Sequence, residues 1–181
     1  MKFTETPLRG AYMVNIEPIH DERGFFARTW SEQEFGDRGL NPNLKQAALS
    51  FNHKKGTVRG MHYQIGDYQE AKLIRCVSGA IFDVIIDLRK GSPTFARYFA
   101  IVLKPEDLGM LYVPEGLAHG YQTLTDGAEV FYQMSQVYSP EHARGVRWND
   151  PAFGIDWPET AQVISSRDRN FPDFHPGTNS L

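Results

Sequence analysis

The chain has 181 residues, 41% of them hydrophobic, with a formal charge of −3 and a single cysteine, Cys76. Its length suits one domain over residues 1–181, with enough apolar content for a buried core. The mild negative charge gives no general attraction to nucleic acid, one cysteine rules out an intrachain disulfide, and nothing approaches the roughly 18 apolar residues that span a bilayer. A cytoplasmic protein without nucleic-acid or membrane partners is the resulting expectation.

The first thirty residues read as short strands. Tyr12-Met13-Val14-Asn15-Ile16 alternates weakly, and Asp21-Glu22-Arg23-Gly24 turns the chain before Phe25-Phe26. By spacing alone Arg23 is a solvated turn residue. Ser31 begins a short helix, with Glu34 at the capping-box position and Gly36 and Gly39-Leu40-Asn41-Pro42 as its stop. From Leu44 the pattern is almost entirely β. Ala71 to Val77 ends at Ser78-Gly79, and Ile81 to Leu88 follows at once, so the two are expected to pair as a hairpin. In the second, Ile81, Asp83, Ile85 and Asp87 share one face, while Phe82, Val84, Ile86 and Leu88 share the other. The uniformly apolar face predicts a sheet–sheet or dimer core, with Asp83 turned toward a pocket and Asp87 a plain strand-end residue.

Tyr98–Leu103 and Leu111–Val113 are expected as the next strand pair, and Gly127–Met134 as a strand with Tyr132 in line with Val130 and Met134. A tyrosine so placed is a core residue or offers its hydroxyl to a ligand. Beyond Tyr138-Ser139-Pro140 alternation fades. Trp148-Asn149-Asp150-Pro151 and Asp156-Trp157-Pro158 read as a tail packing aromatics over the barrel, and Pro172 and Pro176 argue against a final helix. Apolar neighbours make Cys76 a buried thiol.

Two stretches dominate this pattern: Gly56 to Gln64, containing Arg59 and His62, and Tyr112 to Gly120, containing Glu115 and His119. Each sets a histidine after a glycine-punctuated turn beside strand-forming residues. They are either two hairpins with incidental histidines or two walls of one pocket in a small barrel. The spacing resembles the paired half-motifs of cupins. The second half, Pro114, Gly116 and His119, fits; the first keeps Gly56 and His62 but has Gln64 and Gln69 where metal-binding members have His and Glu. Two histidines make a poor catalytic metal site, which normally has three protein ligands. The reading is therefore acid–base chemistry with no metal and no cofactor, a metal-binding or non-catalytic cupin being the alternative.

Seven segments carry a closer resemblance: Asp21–Phe26, Arg59–Gln64, Ala71–Leu73, Asp83–Arg89, Ser92–Phe95, Pro114–Gly120 and Trp148–Pro151. In this order they resemble the dTDP-4-dehydrorhamnose 3,5-epimerase family over nearly the whole chain. The resemblance implies an all-β fold, a cupin or double-stranded β-helix (jelly-roll) barrel with short flanking helices. It also implies a metal-independent isomerase of dTDP-rhamnose-type deoxysugar biosynthesis for cell-surface polysaccharide. A homodimer is implied, in which an N-terminal segment completes the partner's site.

Such an enzyme removes the acidic protons at C3 and C5 of a nucleotide-linked 4-keto-6-deoxyhexose and returns them on the opposite face. By resemblance His62 is the base, Asp168 its orienting carboxylate, Lys72 the cation beside the enolate oxygen and Tyr132 the proton donor. Without the resemblance Asp168 reads as a solvated tail residue. His119 and Asp83 complete the pocket, Arg59 and Arg23 meet the diphosphate, Arg23 from the neighbouring subunit, and Tyr138 stacks on the base. Phe26, Gln46 and Arg167 join the substrate-binding set by the same resemblance. Arg59 could instead pair with a carboxylate, and Tyr138 could cap a strand. Ala47, Ala48, Arg28 and Ala143 depart from the family pattern at nucleotide-recognition positions. A dTDP-, CDP- or GDP-linked sugar, and epimerisation at one carbon instead of two, both stay open at this point.

Overall fold

The computed structural model describes residues 1–177 and Leu181. In chain order its strands begin with β1 (Lys2–Glu5), β2 (Tyr12–Asn15), β3 (Ile19–Asp21), β4 (Gly24–Phe26), β5 (Gln46–Asn52), β6 (Thr57–Gln64) and β7 (Lys72–Ser78). They continue with β8 (Ile81–Asp87), β9 (Tyr98–Leu103), β10 (Gly109–Val113), β11 (Leu117–Thr123), β12 (Ala128–Met134), β13 (Ala143–Gly145) and β14 (Val163–Ile164). Two short helices, α1 (Glu32–Gly36) and α2 (Ser166–Arg169), flank them.

One sheet runs β1-β2-β10-β7-β12-β5, and the second runs β13-β6-β11-β8-β9 with β14 beside β6. The chain passes back and forth between them, as a jelly roll requires. The expected cupin-type barrel is present. The expected hairpin of β7 with β8 is not: β7 pairs with β10 and β12, while β8 pairs with β9 and β11. Ser78-Gly79-Ala80 is a crossing between sheets, and Gly79 makes it at φ +71, where a Cβ would lie 2.3 Å from Thr125 Oγ1. β9 and β10 likewise lie in different sheets and do not pair. Alternation identifies a strand but carries no information about its neighbours.

Three apolar layers follow. Between the sheets lie Ile74, Cys76, Ile81, Ile85, Leu111 and Val130, all essentially inaccessible. Each such aliphatic side chain stabilises the fold by about 2 kcal/mol. Burial pushes the Cys76 thiol up to about 11, in keeping with an inert core residue. Phe35 of α1 and Leu40 cover the outer face of the first sheet against Val14, Leu73 and Met110. Ser31 caps α1 by accepting from Glu34 N, but Glu34 turns its carboxylate to the N-terminal ammonium, so only half of the expected capping box forms.

The outer face of the second sheet carries Val84, Ile86 and Leu88 with Phe82, packed under Phe153, Trp157 and Phe174 of the tail. The aromatic tail was legible in the sequence. The sheet–sheet core expected on that face was not there: Ile81 and Ile85, on the other face, fill it. The tail also contains α2, a single turn ahead of Pro172 that the proline pattern did not suggest.

Asp87 is no plain strand end. Fully buried, it accepts bonds from Arg89 N (3.0 Å), Arg89 Nε (2.9 Å), Arg89 Nη2 (2.8 Å), Ser92 Oγ (2.5 Å) and Thr94 Oγ1 (2.7 Å). Burial alone would raise its pKa, but the Arg89, Ser92 and Thr94 donors prevail and hold it at about 2. A folded-state value below the unfolded one gives stabilisation that is complete above about pH 4 and lost as pH falls toward 2. Asp87→Asn should therefore cost on the order of 2 kcal/mol at pH 7, with the deficit shrinking below pH 4. Urea unfolding across pH measures this, and a pH-independent deficit would contradict it.

Candidate active site

A cavity of about 510 Å³ opens between the sheets. Gln46, Ala48 and Ser50 of β5, Lys72 of β7, and Tyr132 and Met134 of β12 form one wall. Arg59, His62 and Gln64 of β6 and His119 and Tyr121 of β11 form the other, while Tyr138, Ala143, Arg144 and Arg167 surround the mouth.

Two glycines make the second wall possible. Arg59 and His62 are three apart, so on a regular strand they would face opposite ways. A register irregularity between β6 and β11 pairs His119 with His62 but Tyr121 with Arg59, and this extra residue brings both side chains to the cavity. At the irregularity Gly60 has φ +137, and a Cβ there would lie 2.5 Å from Gly120 Cα. A Cβ on Gly120 would lie 2.7 Å from Arg59 O. The two backbones touch where neither can carry a side chain.

The paired histidines each rest on a buried carboxylate. His62 Nε2 is 2.7 Å from Asp168 Oδ1, and Asp168 Oδ2 accepts from Gly60 N at 3.1 Å. Ser165 caps α2 through Asp168 N, which fixes the carboxylate behind the ring. Burial would raise the Asp168 pKa, but the His62 hydrogen bond, the His62 charge and the donors from Gly60 and Ser165 outweigh it and hold it below the usual carboxylate range. His119 Nε2 is 2.7 Å from Asp83 Oδ1, and Asp83 is fully buried beneath the cavity with no hydrogen-bond partner for Oδ2 among the described residues. Each Nε2 is thus turned to its own carboxylate. Among the described residues no group of three His, Cys, Asp or Glu side chains could hold a metal ion.

On the facing wall Tyr132 sets its ring 6.1 Å from the His119 ring, edge to face. Its surroundings desolvate the phenol and push its pKa well above the ordinary value. Lys72 Nζ lies 3.2 Å from Glu70 Oε1, and both side chains are about nine-tenths buried. Arg59 Nε donates to Asn52 Oδ1 at 2.8 Å, so its partner is an amide and not the carboxylate that the sequence left open. At the mouth Arg167 Nη1 donates to Tyr138 Oη at 3.2 Å, and Tyr138 N donates to Gln46 Oε1.

Thus His62, Lys72, Tyr132, Gln46, Arg59, His119, Tyr138 and Arg167 line one cavity, with Asp168 and Asp83 behind the histidines. Arg23 and Phe26 are elsewhere, on the exposed β3–β4 hairpin, where Arg23 pairs with Asp21. Arg28 lies outside the cavity, 3.7 Å from Glu34, whereas Ala48 and Ala143 line it. Glu70, Ser50, Tyr121 and Arg144 also line the cavity and were missed. Period two from His119 reaches Tyr121, and from Gln46 reaches Ser50, but Glu70 sits in a loop that gives no such signal.

Residues 5–176 match the family model described as dTDP-4-dehydrorhamnose 3,5-epimerase. The chain belongs to this family. It is an isomerase with the cupin-type fold of its relatives. A Sinorhizobium fredii dTDP-4-dehydrorhamnose 3,5-epimerase is 37% identical over 175 residues, which is 96% of this chain and 90% of that one. The crystal structure of the Elizabethkingia anophelis epimerase superposes with a TM-score of 0.94 at 36% identity, covering 99% of this chain and 98% of that one. The Bacillus anthracis epimerase, solved with TDP and PPi bound, gives 0.91 at 36% identity over 96% and 99%. A 3'-monoepimerase from Streptomyces bikiniensis, solved with dTDP-quinovose, gives 0.85 at 31% identity over 93% and 85%.

The glycine contact yields a stability test. Gly60→Ala should lower the unfolding free energy by about 2–4 kcal/mol, since the added carbon strikes backbone. Gly36→Ala, with nothing within 4 Å of the new carbon, serves as the control and should change it by less than about 1 kcal/mol. Equal denaturation midpoints for the two variants would show that β6 and β11 can separate without loss.

Proposed function

We propose that this epimerase inverts C3 and C5 of dTDP-4-dehydro-6-deoxyglucose by proton abstraction from one wall of the cavity and reprotonation from the other. One observation carries the reading: a histidine–carboxylate pair on the second sheet faces a desolvated phenol on the first, across a space of sugar size. The 4-keto group makes the neighbouring C–H bonds acidic, because the carbanion delocalises as an enolate onto the carbonyl oxygen. His62 takes the proton through the ring nitrogen not engaged by Asp168, and Asp168 stabilises the imidazolium that results. Lys72 leaves Glu70 to meet the enolate oxygen, an interaction strongest when charge has developed. Tyr132 then delivers a proton from the opposite face, and inversion follows.

The remainder of the substrate is held by side chains around the mouth. Arg59, with Arg167 and Arg144 nearby, presents planar donor forks suited to a diphosphate, and Tyr138 offers its ring to the base. Gln46 holds the Tyr138 backbone in place. His119, backed by Asp83, hydrogen-bonds the sugar. No metal or cofactor enters this scheme, in which imidazole, phenol and ammonium supply every charge.

The reading includes a homodimer. The β3–β4 hairpin exposes Ile19 (71%), Phe25 (52%) and Phe26 (72%), and edge strand β5 exposes Leu49 (58%) and Phe51 (49%). Side chains of this kind on a hairpin and a sheet edge favour contact with another copy. Such a contact would bring Arg23 and Phe26 to the partner's cavity, Arg23 toward the diphosphate. The chain then acts as one catalytic domain. A cytoplasmic location fits a charged nucleotide sugar that does not cross a bilayer unaided, and none of the described helices is long and apolar enough to span one.

Paired variants test the assignments in deuterated buffer, read by NMR. His62→Asn should abolish deuterium entry at both carbons, a loss on the order of 10²–10⁴. Tyr132→Phe should leave deuterium entry with retained configuration near wild type, while inverted product falls by a similar factor. Inversion at the normal rate in the Phe variant would remove Tyr132 from the acid role. Phe26→Asp should yield monomers by sedimentation and a raised KM, and an unchanged dimer would refute the hairpin contact.

A further inference from the structure

The Tyr132 hydroxyl opens a chain of bonds leading away from the cavity. Ser50 Oγ lies 3.4 Å from Tyr132 Oη and 2.8 Å from Tyr121 Oη. Tyr121 Oη donates to Asn52 Oδ1 at 3.2 Å, and the same oxygen accepts from Arg59 Nε at 2.8 Å. Tyr121 and Asn52 are almost wholly buried.

The direction of each proton can be assigned. Asn52 Nδ2 donates to Ala128 O at 3.0 Å, which orients the amide with Oδ1 toward Tyr121 and Arg59. Tyr121 has one hydroxyl proton and places it on Asn52, so toward Ser50 it only accepts. Ser50 spends its single proton on Tyr121 and therefore accepts from Tyr132. At rest the chain runs from Tyr132 through Ser50 and Tyr121 to Asn52.

A phenol in this environment resists ionisation, and proton donation leaves an anionic oxygen on Tyr132. We propose that Ser50 and Tyr121 form a reversible two-hydroxyl relay that turns toward the Tyr132 oxygen when its proton leaves. This inference rests on Tyr132 being the proton donor. The proton passes from Tyr132 Oη to the carbanion carbon, where the new C–H bond forms, and no other covalent bond breaks. The two hydroxyls rotate, Tyr121 to Ser50 and Ser50 to Tyr132, while Arg59 keeps Asn52 Oδ1 bonded. After each inversion Tyr132 regains a proton from solvent and His62 releases the one it took, so the pair is reset before the second carbon reacts. Tyr121 acts through Ser50 and is a positioning residue.

Tyr121→Phe keeps the ring and removes only the far hydroxyl. With dTDP-4-dehydro-6-deoxyglucose in deuterated buffer, kcat for inversion should fall by about tenfold, as for a lost hydrogen bond to a charged group. KM should stay within about twofold, and deuterium entry with retained configuration should continue at the wild-type rate. Ser50→Ala should show the same partition with a larger fall, and serves if the phenylalanine variant folds poorly. Unchanged kcat in both variants overturns the relay. So does a parallel loss of inversion and retained-configuration exchange, which would mark Tyr121 as packing alone. If wild type itself neither exchanges nor inverts, the epimerase reading fails first and the relay falls with it.

Discussion

Strands β6 and β11 approach so closely at Gly60 and Gly120 that backbone meets backbone, and the arrangement of the cavity depends on that approach. It absorbs one extra residue in β6 and thereby turns Arg59 and His62 to the same side. It also aims Gly60 N at Asp168, so the carboxylate that orients His62 is held by the irregularity itself. In the proposed mechanism phosphate recognition and proton abstraction thus come from one short segment, Arg59-Gly60-Met61-His62. The intervening Met61 points out into the layer beneath the tail and anchors the segment from behind.

The two walls differ in how they treat charge. On the second sheet each imidazole has its own buried carboxylate, so in the proposed mechanism a proton taken up by His62 is compensated by Asp168. On the first sheet the phenol is desolvated and bonded to the neutral Ser50 hydroxyl, and the desolvation favours the protonated form. In the proposed mechanism a carboxylate-backed imidazole thus faces a phenol that holds its proton until the carbanion demands it. Lys72 pairs with Glu70, and in the proposed mechanism the ammonium is exchanged onto the substrate when an anionic oxygen competes for it.

The fold was legible to the extent that local pattern fixes it. Ser31 as a cap, the strands flanking His62 and His119, and the aromatic tail all follow from residue type and period. Pairing did not follow, because β7 and β8 look like a hairpin yet cross between sheets, and only the whole barrel decides that. Asp87 carried no signal, since its role depends on a loop folding back with Arg89, Ser92 and Thr94. In the site, Tyr121 and Ser50 lay two and four residues from residues already singled out and were within reach of simple alternation. Asp168 was not: it lies 106 residues from His62 on a one-turn helix, and family resemblance alone pointed to it. That Arg59 and His62 share a wall contradicts strict alternation, and the Gly60 irregularity explains why.

Proton exchange between the facing walls at two carbons of a 4-keto sugar is the step on which the proposed function rests. It is tested most directly by incubating the wild-type protein with dTDP-4-dehydro-6-deoxyglucose, and with its CDP- and GDP-linked counterparts, in deuterated buffer. Proton NMR of the recovered sugar then reads each position. Deuterium is expected at C3 and C5, with inverted configuration at both and preference for the dTDP-linked compound. Deuterium at neither carbon with any nucleotide would contradict the proposed proton exchange, and inversion at C3 alone would mark the protein as a single-carbon epimerase.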